Sequence, residues 1–175
     1  MKKISLLIGV IFLVSNCNTA KKVNSQDITS TKNTKKEINN VMNNWHEAVA
    51  NYDFDAYFNA MTDDAIFIGT DASENWTKKE FIDFAKPYFD KKKTWDFKPL
   101  ERHVFLSKDG KTAWFDELLD TWMRVCRGSG VLIKQNNTWK IKHYVLSITA
   151  PNDSIKSIVK IKKVSDSIFI KKNFR

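Results

Sequence analysis

Two adjacent carboxylates, Asp116 and Glu117, stand in a stretch that is otherwise rich in tryptophan, phenylalanine and leucine. If this stretch is a β-strand, its alternate side chains point to opposite faces, so one of the two carboxylates points into an apolar interior. Removal from water raises the pKa of a carboxyl group and would make it a candidate general base. The alternative is structural, with Asp120 paired to Arg124 or Arg127 and Glu117 at a solvated rim.

His143 is the third candidate for proton transfer. It alternates with Ile141 and Val145 in a strand-like run, so strict alternation places all three side chains on one face. There the imidazole is either a hydrogen-bonded core residue or the polar member of a pocket. In a pocket, its ordinary pKa of about 6.5 would suit proton transfer near neutral pH. The catalytic candidates are therefore His143, Asp116 and Glu117.

Aromatic side chains provide candidates for binding a ligand. Trp76 follows Asp71 and Glu74 in a predicted loop, where it could close the mouth of a pocket or cap the core. A small apolar or aromatic molecule is the partner that an aromatic lining would accept. The predicted ligand-binding residues are Trp45, Tyr57, Trp76, Trp114 and His143.

Other kinds of site have no signature in the sequence. The three histidines are far apart and lack neighbours at metal-ligand spacing. The five glycines form no phosphate-binding loop, and no serine lies in a nucleophile elbow. The sequence therefore predicts no metal site and no cofactor.

The elements that would position these residues begin with a helix. Thr34 and Glu37 match a capping box, which predicts that the first helix starts there. Apolar residues then recur at steps of three and four, which is typical of one buried helix face. These residues are Ile38, Val41, Met42, Trp45, Ala48, Val49 and Tyr52.

Shorter elements follow the first helix. Asp53 can cap a second helix, and the apolar run 65–69 predicts a strand. A second capping box, Thr77 with Glu80, opens a third helix, which Pro87 is expected to bend or end early.

The rest of the predicted fold is antiparallel sheet. Asp109-Gly110 is a strong hairpin signal, and Asn136-Asn137 can supply the positive φ angles of another tight turn. Strand-like runs occupy residues 95–107, 112–123, 126–134 and 139–150. We therefore predict an α+β fold in which three N-terminal helices pack on one face of a curved, mainly antiparallel sheet.

This order of elements resembles the cone-shaped nuclear transport factor 2-like superfamily, and in particular its SnoaL-like branch. The resemblance covers roughly residues 36–153 and is carried by Ile68-Gly69-Thr70-Asp71, Trp76, residues 113–117, residues 127–132 and residues 139–144. It implies a cone with a variable pocket, and a homodimer, because sheets of this superfamily commonly pair. Some relatives carry a second histidine two residues after the first, where this chain has Val145.

The start of the chain predicts export. Residues 1–16 combine two lysines with a short apolar run, as in a secretory signal peptide. Cys17 then resembles a bacterial lipoprotein site, which implies a lipid-anchored protein in the periplasm or at the cell surface. The alternative is ordinary cleavage and secretion, with Cys17 incidental. Residues 17–34 are predicted to be a disordered tether, residues 35–153 the domain, and residues 154–175 a basic tail.

The net charge of +9 is concentrated at the two ends. Residues 1–36 and residues 154–175 each have a net charge of +6, whereas residues 37–153 have a net charge of −3. Because the predicted domain has no basic face with aromatic side chains, nucleic acid is not an expected partner. The tail is predicted to be a loosely docked segment, or a short amphipathic helix that packs on the domain or contacts lipid.

Three functions remain open at this point. The first is a small-molecule-binding SnoaL-like domain of the cell envelope without demonstrated catalysis. The second is an enzyme similar to polyketide cyclases and ketosteroid isomerases, in which a carboxylate removes a proton and a neighbouring histidine or tyrosine stabilises the enolate. The third is a dimeric interaction module.

Overall fold

A curved six-stranded sheet organises the structure, a computed structural model that describes residues 25–175 and the side chains of residues 29–175. The strand order is β2-β1-β6-β5-β4-β3; β1 runs parallel to β6 and the other neighbours are antiparallel. The strands are β1 Met61–Ile68, β2 Asn75–Thr77, β3 Lys98–Leu106, β4 Thr112–Thr121, β5 Arg124–Gln135 and β6 Thr138–Ile148. The helices are α1 Ser25–Ala50, α2 Phe54–Asn59, α3 Lys78–Asp90, the 3₁₀ turn Asn152–Ser154 and α4 Ile155–Phe174.

The predicted α+β fold is confirmed in its main features. Gly110 has a φ of 66° in the β3–β4 turn, and Asn136 and Asn137 have φ angles of 48° and 62° between β5 and β6. These left-handed conformations are the ones that tight hairpins need and that glycine and asparagine tolerate. The two turns therefore fix the register of the long strands.

The first three helices pack on one face of the sheet and close the core. The Asp53 side chain accepts a hydrogen bond from the Ala56 amide, so the predicted cap of α2 is confirmed. The Thr77–Glu80 capping box of α3 is confirmed as well. The buried side chains of these helices include Ile38, Met42, Trp45, Val49, Tyr57, Phe58, Phe81, Ala85 and Phe89.

The predicted start of the first helix is wrong. Helix α1 begins at Ser25, so residues 25–34, assigned to the tether, form its first turns. Residues 29–33 are exposed and contribute nothing to the core. Once the apolar face further along is docked, each added residue gains a backbone hydrogen bond without a new nucleation cost, which favours this extension.

Two smaller predictions also need correction. Pro87 does not stop α3, which continues to Asp90. Phe89 is 6% exposed and packs against the aromatic core, and this burial offsets the hydrogen bond that proline cannot donate. The predicted loop before α3 contains the short strand β2, in which Trp76 pairs with Phe67 of β1.

The basic tail forms the 20-residue helix α4, which has no buried residue. Within residues 25–175, no helix is long and apolar enough to cross a membrane. The predicted signal peptide, Cys17 and the tether up to residue 24 lie outside the described residues.

Candidate functional site

Glu117 lies inside the protein, beneath α1. Strand β4 alternates strictly, so Phe115, Glu117 and Leu119 point inward while Asp116 points to the other face of the sheet. The two adjacent carboxylates therefore separate as the alternation predicts. Glu117 is 1% exposed, which makes it the only buried acidic residue among residues 29–175.

Both oxygens of the Glu117 carboxylate are engaged by protein groups. Oε1 lies 2.9 Å from His46 Nε2 and accepts a hydrogen bond of 2.9 Å from the Tyr144 hydroxyl. Oε2 accepts a hydrogen bond of 2.8 Å from Arg102 Nε. Arg102 Nη2 lies 2.7 Å from the same oxygen, within ion-pair distance although its angle is poor for a hydrogen bond. An ionised carboxylate only accepts, so His46 Nε2 is the donor in its pair.

Two opposing effects set the protonation of this cluster. Burial raises the pKa of Glu117, but the hydrogen bonds and charges of His46 and Arg102 outweigh it and hold that pKa below its ordinary value. Burial, together with the neighbouring Glu117 carboxylate, raises the pKa of Tyr144 well above its ordinary range. Near neutral pH, Glu117 is therefore an anion and Tyr144 a neutral donor.

A polar stripe on α1 completes the cluster. Arg102 Nη1 donates to Asn43 Oδ1 at 2.8 Å and to Asn39 Oδ1 at 3.2 Å. Asn39, Asn43 and His46 recur at steps of four and three, so they line one edge of the helix beside its apolar face. Sequence reasoning missed His46, Arg102 and Tyr144 as partners of Glu117. The recurrence of hydrogen-bonding residues along one edge of α1 is the sequence pattern that could have identified His46 as a member of the cluster.

Gly128 provides the space in which the cluster fits. It pairs with Glu117 across β4 and β5. A Cβ atom on Gly128 would lie 2.3 Å from the Tyr144 hydroxyl and 2.8 Å from Glu117 Oε1, well inside van der Waals contact. Glycine is therefore needed here for close approach and not for an unusual backbone conformation.

His143 lies on the outer face of the sheet, so the strict alternation predicted for β6 is wrong. A β-bulge inserts Lys142: Leu132 of β5 pairs with Ile141, whereas Val131 pairs with His143. A bulge residue shifts every later side chain to the opposite face. Tyr144 consequently occupies the interior beside Glu117, and His143 is only partly buried.

Two other predicted residues, Asp116 and Trp114, also lie on the outer face. Asp116 Oδ1 is 3.1 Å from His103 Nδ1. This hydrogen bond, together with the charge of Glu101, raises the pKa of His103. Trp114 is 47% exposed and stacks on Phe105 at 5.8 Å. The structure thus separates Asp116 and His143 from the interior and leaves Glu117 as the only catalytic candidate there.

Trp45 and Tyr57 lie deep in the core. Their rings stack with centroids 4.8 Å apart, and they are 2% and 1% exposed. Trp45 also packs edge-on against Tyr144 at 4.7 Å. Trp45 therefore packs directly against the Glu117 cluster and Tyr57 packs against Trp45, and neither ring lines a described cavity.

A small aromatic cavity opens at a different place, between α3, β2 and the β4–β5 turn. Its volume is about 110 Å³. Trp76 forms one wall and stacks on Phe84 at 4.5 Å and on Phe81 at 5.8 Å. The cavity is lined by Phe67, Gly69, Thr70, Glu74, Trp76, Phe81, Phe84, Trp95, Phe97, Trp122 and Leu146. Of the predicted ligand-binding residues, Trp76 alone contributes to it.

The two sites differ in what they can do chemically. In the buried cluster, both oxygens of the Glu117 carboxylate already accept hydrogen bonds from protein side chains. Such an ion pair holds the surrounding core side chains in place. The aromatic cavity is lined by one carboxylate, Glu74, and one hydroxyl, Thr70, and otherwise mainly by aromatic rings, which suits the burial of a small apolar group.

The helices, the curved sheet and its interior define the NTF2-like class of fold. An NTF2-like protein of unknown function from Pseudomonas putida KT2440 has a TM-score of 0.59 at 15% identity, over 70% of this chain and 92% of that one. A provisionally described dehydratase of the NTF2-like family from Streptomyces avermitilis has a TM-score of 0.61 at 11% identity, over 69% of this chain and 99% of that one. A provisionally described aromatic ring hydroxylase from Novosphingobium aromaticivorans has a TM-score of 0.57 at 16% identity, over 69% and 92%.

The sequence narrows this class to one family. The family model for the SnoaL-like domain matches residues 38–151, and the chain belongs to this family. No curated protein matches the chain in sequence.

Proposed function

We propose that the chain is a small-molecule-binding SnoaL-like domain that holds a small apolar or aromatic ligand in the cavity beside Trp76. The observation that carries the proposal is the cavity itself, about 110 Å³ in volume and walled largely by aromatic rings. An engineered apolar cavity of about 150 Å³ in another protein binds benzene, so this space suits a single ring or a short branched chain.

The arrangement around Glu117 favours binding over catalysis. A general base needs a free lone pair within reach of a substrate proton. His46, Tyr144 and Arg102 occupy the Glu117 oxygens, and no described cavity is lined by Glu117. The enzyme hypothesis therefore has no supporting geometry at this residue.

Replacing Trp76 by alanine is expected to weaken the binding of a single-ring probe by about tenfold, because one stacking wall is lost and the cavity opens to water. The probe is benzene, titrated against the ¹⁵N-labelled protein and followed by amide chemical-shift changes at Phe81 and Phe84. Trp114→Ala is the matched control, since Trp114 lies on the outer face and should leave binding unchanged. Equal affinity in Trp76→Ala and wild type, or no shift in either, would count against the cavity.

A second candidate function is a homodimeric interaction module. It is favoured by the outer face of β3 and β4, where the cross-strand neighbours Phe105 and Trp114 are 44% and 47% exposed. Adjacent exposed apolar side chains are typical of a protein interface. Sedimentation velocity of Trp114→Arg against wild type tests this candidate; a monomer in both would remove it.

We further infer a location at the bacterial cell envelope, through export and lipidation at Cys17. The support is the sequence of residues 1–17. Mass spectrometry of the mature N-terminus tests it, and a chain that starts at an unmodified residue other than Cys17 would exclude the anchor.

A further inference from the structure

Helix α4 leaves most of its apolar surface in solvent. None of its residues is buried, and its main association is with the 3₁₀ turn that precedes it. Ile158 and Lys162 face the domain across a cavity of about 630 Å³ beside β1 and β6. The other sides of the helix, within the described residues, contain no buried side chain.

An apolar patch lies about 100° around the helix from the side that Ile158 and Lys162 present to the domain. It consists of Ile161, Val164 and Ile168, which are 79%, 69% and 62% exposed. Steps of three and four residues place them side by side on one helix face. We call these three residues the outward patch.

Lysines flank the outward patch on both sides. At 100° per residue, Lys160 and Lys171 lie along one edge of the patch and Lys172 along the other. Residues 155–175 carry six lysines and Arg175 against a single acidic residue, Asp166. Asp166 pairs with Lys162 at 3.3 Å, so the lysines beside the patch keep their charge uncompensated.

We propose that α4 docks on an anionic lipid surface through the outward patch and its flanking lysines. At such a surface the three aliphatic side chains enter the acyl boundary while the lysine stems extend and their ammonium groups reach the phosphates. A second copy of α4 fits less well, because pairing would bring two strongly basic faces together. This proposal rests on α4 alone and is independent of the Trp76 cavity and of Cys17.

The test places an environment-sensitive fluorophore on the helix itself. Ile161→Cys is introduced into the full chain with Cys17→Ser and labelled with NBD; Cys126 is 0% exposed and stays unlabelled. Vesicles that contain phosphatidylglycerol should shift the emission to shorter wavelength at low salt, and high salt should reverse the shift. Pure phosphatidylcholine vesicles should have little effect.

Two controls separate docking of α4 from other modes of binding. A label at Lys108→Cys, in the exposed β3–β4 turn, should not respond, even if another segment holds the chain to the vesicle. In the Ile161→Cys background, Lys160→Gln, Lys171→Gln and Lys172→Gln together should weaken partitioning by roughly a hundredfold, at about fivefold per lysine. Far-ultraviolet circular dichroism checks that the helix persists.

The proposal has clear opposing outcomes. An unchanged spectrum at position 161 with anionic vesicles would overturn it, as would an equal response to neutral ones. A shift that grows with protein concentration in the absence of lipid would assign the outward patch to a second copy and would also overturn it.

Discussion

Replacing Arg102 by methionine is expected to lower the free energy of unfolding by about 3–5 kcal/mol near neutral pH, because it leaves the buried Glu117 carboxylate without its cation. The Arg102 and Glu117 side chains are 5% and 0% exposed, so water cannot replace the lost contact. Methionine keeps most of the aliphatic stem, which separates the loss of charge from the loss of packing. Guanidinium denaturation followed by circular dichroism measures the difference.

The pH dependence of this loss distinguishes a charge effect from a packing effect. In the wild type the pKa of Glu117 is lowered on folding, so its contribution to stability is present above the ordinary value of about 4.3 and is lost as the pH falls through the folded pKa. Without Arg102, burial should dominate and raise the pKa of Glu117, so the penalty fades on acidification. The difference between variant and wild type should therefore shrink from pH 7 toward pH 4.

An exposed ion pair provides the matched control. Lys86 Nζ lies 2.8 Å from Asp90 Oδ1, but both side chains are more than half exposed. Lys86→Met should cost at most about 1 kcal/mol. A similar small cost for Arg102→Met, or a large cost that does not change with pH, would be inconsistent with a buried ion pair.

Replacing Gly128 by alanine is expected to lower the free energy of unfolding by about 3–5 kcal/mol, since overpacking costs about 1–3 kcal/mol and a lost hydrogen bond to a charged group about 1.5–3 kcal/mol. The added methyl group meets the Tyr144 hydroxyl, and Tyr144 cannot retreat because Trp45 and Phe67 pack against its ring. Chemical denaturation of the variant measures the loss.

Two further variants show whether the cause is lack of space. Gly110→Ala has nothing within 4 Å of the new Cβ but a φ of 66°, so it should cost only the backbone strain of about 1–2 kcal/mol. The double variant Gly128→Ala/Tyr144→Phe removes the hydroxyl that the methyl group meets, and it should lose less stability than the sum of its single variants. Strict additivity would mean that the clash with the Tyr144 hydroxyl is not the cause.

The sequence predicts those parts of the fold that local rules govern. Alternation along β4 separates Asp116 from Glu117, and the glycine and asparagine turns fix the hairpins. The Thr77–Glu80 capping box starts α3 where local hydrogen bonding requires it. In each case the residues that determine the local structure lie within a few positions of one another, so this structure can be predicted from a single segment of the sequence.

The candidate site is harder to predict because it depends on long-range contacts. Glu117 meets His46 from α1, Arg102 from β3 and Tyr144 from β6, and no segment alone indicates that these four side chains converge. Local rules also fail for Lys142, whose bulge has no glycine to mark it. The aromatic cavity likewise combines Trp76 with rings that are distant in the sequence. Trp76 was therefore predicted as a ligand-binding residue, but the other rings of the cavity were not.

The bulge at Lys142 has a consequence for how relatives are aligned with this chain. One extra residue decides whether an imidazole or a phenol is matched to the interior position beside Glu117. An alignment without a gap at this point would equate His143 with an inward-facing residue of a relative that lacks the bulge. The strand register must therefore be known before a histidine of this chain is equated with a catalytic histidine of a relative. Without it, residues at neighbouring alignment positions can be matched although their side chains lie on opposite faces of the sheet.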